Sequence, residues 1–238
     1  MNCGVVVFPG SNCDHDVYHV LAHVLQQPTR FLWHDDDGLQ GSDLVVVPGG
    51  FSYGDYLRAG AMAASSPVLA AVRRHAEGGG LVLGICNGFQ ILLEAGLLPG
   101  AMRRNAGLRF LSQDVNLRVE RDDLPFTRAY SRGQVLRMPI AHAEGNYVDR
   151  EPALDRLEAE RQVVFRYCDA DGSVGGRRAA ESNPNGSERA IAGICSASGN
   201  VCALMPHPER AAEEVLGNTD GLAMFAGLVG AVAEGIAS

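Results

Sequence analysis

Three short, unbroken apolar runs constrain the fold of this 238-residue chain more than any other feature. They lie at 3–8, 44–47 and 81–85, and each is followed by a turn and then by apolar residues at helical spacing. Such runs are typical of strands buried on both faces of a parallel sheet. Strands that alternate with amphipathic helices predict right-handed β-α-β units, so we expect a mostly parallel sheet flanked by helices.

The middle and end of the chain depart from this alternation. Between 101 and about 150, apolar residues alternate at Val115, Leu117 and Val119 and again from Val135, which predicts an antiparallel extension of the sheet. The runs at 191–195 and 201–205 predict a hairpin. No repeat, low-complexity tract or linker interrupts the sequence, so the chain 1–238 is predicted to form a single domain.

Composition excludes several classes of function. The chain carries 20 basic and 28 acidic side chains, a formal charge of −8, and every basic residue is arginine. This balance argues against nucleic-acid binding. No apolar run reaches the roughly 18 residues that span a bilayer. The start of the chain lacks the basic region of a secretory signal, and the six cysteines form no metal-binding spacing, so we expect a cytoplasmic protein with free thiols.

A cysteine between glycines is the first candidate for chemistry. Residues 84–88 read Gly-Ile-Cys-Asn-Gly, and they follow a predicted strand and precede a predicted helix. This is the pattern of a nucleophile elbow with Cys86 in place of serine. The helix start would favour the thiolate form of Cys86. On spacing alone, a small buried cysteine before a helix explains the pattern equally well.

A histidine and a glutamate supply the second candidate. His207 and Glu209 follow the last predicted strand, two positions apart, so in extended chain their side chains point the same way. The carboxylate can then orient one imidazole nitrogen while the other faces a nucleophile. Taken alone, the segment also fits a simple helix start with Pro208 in its first turn. Together with the cysteine elbow, it favours a catalytic base.

These motifs resemble those of the class I, triad-type glutamine amidotransferases, which combine a Gly-x-Cys-x-Gly-x-Gln elbow with a distant His-x-Glu. Within that family, the sequence is most similar to the PurQ-type glutaminase subunits of phosphoribosylformylglycinamidine synthases. The segments that carry this similarity are 8–14, 48–58, 139–142, 164–168, 183–187 and 205–210. One departure from the family pattern is Ala143, where that pattern predicts glycine. This difference concerns only the conformation of the local loop.

The resemblance implies a flavodoxin-like fold and a thioester mechanism. Cys86 is the expected nucleophile, His207 the proton carrier and Glu209 its orienting partner. The backbone N–H groups of Gly50 and Asn87 are the expected oxyanion donors, although a glycine pair also fits a simple tight turn. The expected substrate-binding residues are Gly49, Phe51, Gln90, His142 and Glu144.

Several residues carry alternative interpretations. Taken alone, Gln90 fits an ordinary surface glutamine. His142 and Glu144 have the spacing of a second acid/base pair but are interpreted as rim or glutamine-recognition residues. Cys13 has no predicted base partner and is assigned a structural role. The acidic run 35–37 is interpreted as a solvated turn, and no metal is predicted.

The family also implies partners. We expect the chain to release ammonia from L-glutamine and to pass it to a synthetase subunit, with a small accessory subunit in the same complex. That synthetase uses ATP and Mg²⁺ to convert formylglycinamide ribonucleotide into formylglycinamidine ribonucleotide in purine biosynthesis. This chain needs no cofactor of its own, since it lacks a phosphate-binding Gly-x-x-x-x-Gly-Lys loop. The alternatives are a stand-alone cysteine hydrolase or peptidase and a catalytically silent regulatory subunit.

Overall fold

The structure, a computed structural model, describes residues 1–175 and 179–235. The predicted domain 1–238 therefore includes six residues outside the described part. The strands are β1 (Cys3–Val7), β2 (Thr29–Trp33), β3 (Leu44–Val47), β4 (Leu81–Ile85), β5 (Ala101–Arg103), β6 (Leu111–Val119), β7 (Val135–His142), β8 (Asn146–Val148), β9 (Val163–Cys168), β10 (Ile191–Cys195) and β11 (Val201–Leu204). The α-helices are α1 (Asp14–His19), α2 (Pro67–Glu77), α3 (Asn87–Glu94), α4 (Glu151–Ala159), α5 (Ala179–Ser182) and α6 (Leu222–Ala233).

The main sheet combines a parallel half with an antiparallel half. In the described residues its nine strands follow the order β2-β1-β3-β4-β11-β10-β9-β6-β7. The pairs from β2 to β11 are parallel, and those from β11 to β7 are antiparallel. Because the first five strands have the doubly wound order of a flavodoxin-like sheet, the predicted fold and its antiparallel extension are confirmed. The predicted hairpin is also present as β10 and β11.

A continuous apolar core holds the helices against this sheet. The strands β1, β3, β4 and β11 are almost wholly buried, as their unbroken apolar runs require. Each main helix contributes one apolar face, with Val17 from α1, Val72 from α2, Leu92 from α3, Leu154 from α4 and Phe225 from α6. No helix of the described residues is long and apolar enough to cross a membrane.

Four chain segments leave the parallel half at the same edge. The strands β1, β3, β4 and β11 run parallel, and Leu204 at the end of β11 pairs with Ile85 at the end of β4. Loops that follow the carboxyl ends of such strands converge outside the sheet. The segments after Val7, Val47, Ile85 and Leu204 therefore meet there, and they contain Cys13, Gly49, Cys86 and His207.

Candidate active site

Cys86 occupies a sharp turn between β4 and α3. Its backbone has φ 50° and ψ −105°, a left-handed conformation that is costly for a residue with a side chain. The glycines on either side permit this turn. A side-chain carbon at Gly84 would lie 2.6 Å from Leu92 Cδ1, and one at Gly88 would overlap the Val47 carbonyl oxygen. The strand-turn-helix geometry of a nucleophile elbow is therefore present at Cys86.

His207 and Glu209 form a buried pair after β11. The Nδ1–H of His207 donates to Glu209 Oε1 at 2.6 Å, and the two side chains are 1% and 0% exposed. The backbone N–H of His207 donates to the Pro139 carbonyl on β7 at 2.9 Å. This hydrogen bond holds the backbone of His207 against β7. Pro208 begins a 3-10 turn, Pro208–Arg210, that returns the carboxylate toward the imidazole. The hydrogen bond leaves Nε2 as the free nitrogen.

Gly49 is the point at which Cys86 and His207 meet. A side-chain carbon at Gly49 would lie 2.7 Å from His207 Cε1 and 3.4 Å from Cys86 Cβ. Only a glycine leaves room for these two side chains to approach each other. The Cys86 Sγ points toward the Ala141 carbonyl at 3.8 Å, and Ala141 and His207 line the same cavity. The structure therefore brings the three predicted triad residues together.

The charge around His207 favours its protonated form. Burial alone lowers the pKa of His207, but the nearby Glu209 carboxylate and the Cys86 thiol act in the opposite direction. The net effect raises the pKa of His207 well above its usual value. The His207 imidazole is therefore suited to hold a proton that it takes from the Cys86 thiol.

The predicted oxyanion donors belong to two segments, the loop after β3 and the start of α3. Gly50 has φ +133°, and a side-chain carbon there would lie 2.7 Å from the Asn12 nitrogen, so the position requires glycine for two reasons. Asn87 is the first residue of α3, where backbone N–H groups have no acceptor within the helix. Its side-chain oxygen accepts from the Ser52 N–H at 3.1 Å, which ties the helix start to the loop that contains Gly50.

Gln90 is buried and is not a surface glutamine. Its side chain is 5% exposed, its Oε1 accepts from Asn87 Nδ2 at 2.8 Å, and its Nε2 donates to the Glu144 carbonyl at 2.5 Å. Gln90 therefore joins the elbow helix to the loop after β7. Glu144 lines a neighbouring cavity of about 600 Å³ together with Arg58 and Asn105.

His142 is buried at the end of β7, so its interpretation as a rim residue is wrong in position. It is 2% exposed, and its Nδ1 lies 3.1 Å from Asn105 Oδ1. Asn105 also accepts from the Gly145 N–H at 2.9 Å and donates to the His142 carbonyl, so it holds the whole turn. Ala143 is not among the residues with positive φ, and the alanine therefore fits where the family pattern predicts glycine.

The free energy of unfolding should depend on pH through the protonation of His142. Burial, and then the charge of His207, lower the pKa of His142 to about 4. Below about pH 6.5 the unfolded chain binds a proton that the native His142 does not, so stability falls as the pH drops toward 4. We expect His142→Gln to remove up to about 3 kcal/mol of this loss. Urea unfolding of the wild type and of His142→Gln at pH 7 and pH 4.5 measures this difference. An equal loss of unfolding free energy in the two proteins would contradict the prediction.

Cys13 is the residue whose position the sequence analysis missed. It is 2% exposed and lines one cavity with His207, Gly50 and Arg210. Its Sγ lies 3.0 Å from Arg210 Nη2. The same sulfur lies within 4.8 Å of an imidazole nitrogen of His207 and of a carboxylate oxygen of Glu209. All six cysteines lie in the described part and are free thiols, and Cys13 joins Cys86 as a thiol that the structure places near His207. A purely structural role for it does not follow from this placement.

Exposed apolar side chains lie on two loops, 48–58 and 104–110, that contribute Phe51 and Phe110 to the lining of the His207 cavity. Phe51 packs against Phe110 with ring centroids 6.4 Å apart, and both line the cavity of His207. The exposed large apolar residues of the loops 48–58 and 104–110 are Phe51, Tyr56, Leu57, Leu108 and Phe110; we call this set the apolar rim. Monomeric proteins seldom leave such a cluster uncovered. The loop backbone is also strained, with positive φ at Tyr53, Asp55 and Leu57.

The fold and the elbow together define a glutamine amidotransferase. Residues 1–222 match the model of the CobB/CobQ-like glutamine amidotransferase domain, and the chain belongs to this family. The resemblance predicted from the sequence, to class I glutamine amidotransferases and within them to PurQ-type chains, is confirmed.

Curated relatives and a solved structure indicate which type of amidotransferase the chain most resembles. The chain is 58% identical, over 96% of its length and 97% of the relative, to phosphoribosylformylglycinamidine synthase subunit PurQ of Gloeobacter violaceus. It is 55% identical to the protein of the same name from Koribacter versatilis, over 98% of its length and 100% of the relative. A solved structure of PurLQS from Thermotoga maritima contains a chain with TM-score 0.84 and 43% identity, covering 97% of this chain and 98% of that one.

Proposed function

We propose that this chain is the glutaminase subunit of a phosphoribosylformylglycinamidine synthase. It releases ammonia from L-glutamine for the ATP-dependent formation of formylglycinamidine ribonucleotide by a separate synthetase subunit. The observation that carries the proposal is the elbow cysteine Cys86, which meets His207 over Gly49 while Glu209 holds the other imidazole nitrogen at 2.6 Å. Relatives more than 50% identical along nearly the whole chain support the choice of synthase.

The geometry supports a two-step mechanism. Cys86 Sγ attacks the side-chain amide carbon of glutamine while His207 Nε2 takes the thiol proton. His207 then gives that proton to the amide nitrogen, the carbon–nitrogen bond breaks, and ammonia leaves a glutamyl thioester on Cys86. A water molecule, with its proton taken by His207, attacks the thioester and releases glutamate and the thiol. Glu209 orients the ring and stabilises the imidazolium that forms in each step.

Backbone donors stabilise the two tetrahedral oxyanions. The N–H of Asn87 belongs to the free first turn of α3, beside the attacking sulfur. The N–H of Gly50 approaches from the loop after β3, where the absence of a side chain leaves the substrate carbonyl room. One such donor typically contributes about 10²–10³ in rate.

The glutamine side chain enters between the elbow helix and the loop after β7. Gln90 and the Glu144 backbone, joined by their hydrogen bond, form one wall for the amide. Phe51 covers the mouth, and Gly49 leaves the floor open between the thiol and the imidazole. His142, neutral at physiological pH because its pKa is lowered to about 4, supports this wall rather than acting as an acid or base.

The apolar rim is the surface on which the synthetase docks. Its residues Phe51 and Phe110 line the cavity of His207, from which ammonia must pass without loss to water, and a second subunit that covers the rim encloses that path. The synthetase supplies the ATP and Mg²⁺ chemistry, this chain needs no cofactor for the hydrolysis, and a small accessory subunit completes the complex. The six free thiols fit a cytoplasmic enzyme.

A charge on the rim should weaken the complex. Leu57 is 86% exposed, so Leu57→Glu leaves the fold intact, yet it places a carboxylate in the proposed interface. We expect the affinity for the synthetase to fall by roughly 10-fold or more. Val215 is equally exposed on the turn Glu214–Leu216, outside the rim, and Val215→Glu is the matched control. Equal affinities of the two variants, measured by titration calorimetry, would place the interface elsewhere.

The two alternatives explain fewer of the observations. A free peptidase has no need for an apolar rim around a small-molecule site, and its relatives would not be synthase subunits. A silent regulatory subunit has no use for the strained backbone at Cys86 or for a buried histidine whose pKa a carboxylate raises.

Reconstitution with a synthetase tests the proposal. The synthetase and its accessory subunit, supplied with ATP, Mg²⁺ and formylglycinamide ribonucleotide, should form product from glutamine only when this chain is present. Glutamate and product should appear in equal amounts. Peptide or ester hydrolysis without such product formation would favour the stand-alone hydrolase.

A further inference from the structure

Cys13 lies beside the buried pair formed by His207 and Glu209. Its sulfur is within 4.8 Å of an imidazole nitrogen of His207 and of a carboxylate oxygen of Glu209. The side chains of the pair are 1% and 0% exposed, and Cys13 is 2% exposed. We propose that Cys13 is a positioning residue for glutamine hydrolysis: its sulfur confines the His207 ring and keeps water away from the hydrogen bond between His207 and Glu209. The proposal rests on the proposed function, because it concerns the histidine that activates Cys86.

The sulfur of Cys13 is held from two sides. The Nη2 of Arg210 donates to Cys13 Sγ at 3.0 Å, and the Cys13 thiol donates to Asn12 Oδ1 at 3.3 Å. Arg210 is itself fixed, since its Nε donates to Asp16 Oδ2 on α1 at 3.2 Å. Because the thiol accepts one hydrogen bond and donates another, its position beside the imidazole is defined.

The backbone of Gly49 shows how little space the ring has. Measured from the position of a side-chain carbon at Gly49, His207 Cε1 lies at 2.7 Å and Cys13 Sγ at 3.2 Å. The adjoining cavity of about 210 Å³ is lined by Cys13 and His207, and Glu209 does not belong to its described lining. Removal of the sulfur would therefore extend the cavity along the ring and toward the carboxylate.

Water in that space would weaken the pair. A hydrogen bond is electrostatically stronger in a water-free interior than in solvent, and the bond to Glu209 both orients the His207 ring and stabilises the imidazolium. Burial lowers the pKa of His207, the charges of Glu209 and Cys86 raise it, and hydrogen bonding with Cys13 raises it further. Cys13 therefore favours the imidazolium through His207 and needs no contact with glutamine.

Kinetics of the assembled complex separate a positioning role from a structural one. Cys13→Ala removes the sulfur and both of its hydrogen bonds, so we expect kcat for glutamate release to fall by roughly 10- to 100-fold. The KM for glutamine should stay close to the wild-type value. Cys13→Ser restores a group that donates and accepts, and it should recover most of the lost kcat. Cys202→Ala, which removes another buried thiol, is the matched control.

Alkylation of Cys86 by iodoacetamide is a second measurement, and it needs no glutamine turnover. Peptide mapping of the treated chain follows Cys86 alone. The rate should fall in Cys13→Ala, because a loosely held imidazole stabilises the thiolate less, and it should stay near the wild-type rate in Cys13→Ser and Cys202→Ala. A wild-type complex that releases no glutamate would contradict the proposed function, whereas the alkylation rates still test Cys13.

Three outcomes would overturn the positioning role. They are wild-type kcat and alkylation in a folded Cys13→Ala chain, a loss confined to KM, and an equal loss of kcat in Cys202→Ala. Thermal unfolding of each variant checks its fold. If Cys13→Ala does not fold, Arg210→Lys replaces it, since lysine keeps the charge but lacks the planar fork that reaches Asp16 and Cys13 together. Wild-type kcat in Arg210→Lys would then contradict the proposal.

Discussion

Replacing Cys86 with alanine should lower glutamine-dependent synthesis by the assembled complex by about 10⁴–10⁶-fold, the range found when a covalent nucleophile is removed. Synthesis from added ammonium salts should continue at the wild-type rate, because ammonia then reaches the synthetase without the thioester. The measurement is product formation from each nitrogen source under otherwise identical conditions.

The matched substitution Cys202→Ala controls for the loss of a buried thiol. Cys202 is 0% exposed within β11, and the change should leave both reactions close to the wild-type rate. An equal loss of both reactions in Cys86→Ala would point to a damaged complex. Glutamine-dependent synthesis that survives in Cys86→Ala would exclude this cysteine as the nucleophile.

The isolated chain should hydrolyse glutamine about 10²–10³-fold more slowly than the same chain in the complex with nucleotide substrates bound, as expected if one oxyanion donor is misplaced until docking. We expect the segment 48–58 to couple docking of the synthetase to placement of the oxyanion donor. It contains the proposed donor Gly50 near one end and the exposed rim residue Leu57 near the other.

Because the backbone of this segment is strained, we expect docking to rearrange it. Besides Gly50 and Gly54, the non-glycine residues Tyr53, Asp55 and Leu57 have φ between 52° and 68°. Each such conformation costs about 1–3 kcal/mol, so a partner needs little binding free energy to rearrange the loop. Glutamate release with and without the synthetase is the measurement, with Cys86→Ala as background. Full turnover by the isolated chain, unchanged when the synthetase is added, would refute the coupling.

The parallel half of the fold was readable because its strands are unbroken apolar runs. Strand β2 gave no such signal, since it lies at the sheet edge and leaves Phe31 and Trp33 partly in solvent. Strand β9 was missed for another reason. It is buried throughout but contains Arg166, whose guanidinium is satisfied by Glu158 at 2.5 Å and by the Arg189 carbonyl. A buried arginine interrupts the apolar pattern although the strand itself is continuous.

The residues of the site also divide into those that the sequence alone identified and those that it did not. The residues Cys86, His207 and Glu209 stand in local motifs whose spacing has chemical meaning, so the sequence alone named them. Cys13 and Asn105 act through contacts distant in the chain: Cys13 lies 197 positions from Arg210, and Asn105 lies 37 from His142. Single-sequence patterns carry no information on such pairs. Only the folded arrangement of the segments after β1, β5 and β11 and the end of β7 places them together.

Selective covalent labelling tests the central claim most directly, because it asks which thiol reacts as a glutaminase nucleophile. The intact complex is treated briefly with an electrophilic glutamine analogue, and peptide mapping by mass spectrometry quantifies each of the six cysteines. Excess glutamine should slow the reaction. We predict that Cys86 is labelled far faster than the other five, including Cys13 beside the same histidine. Labelling of Cys13 or Cys202 at the rate of Cys86 would contradict the account.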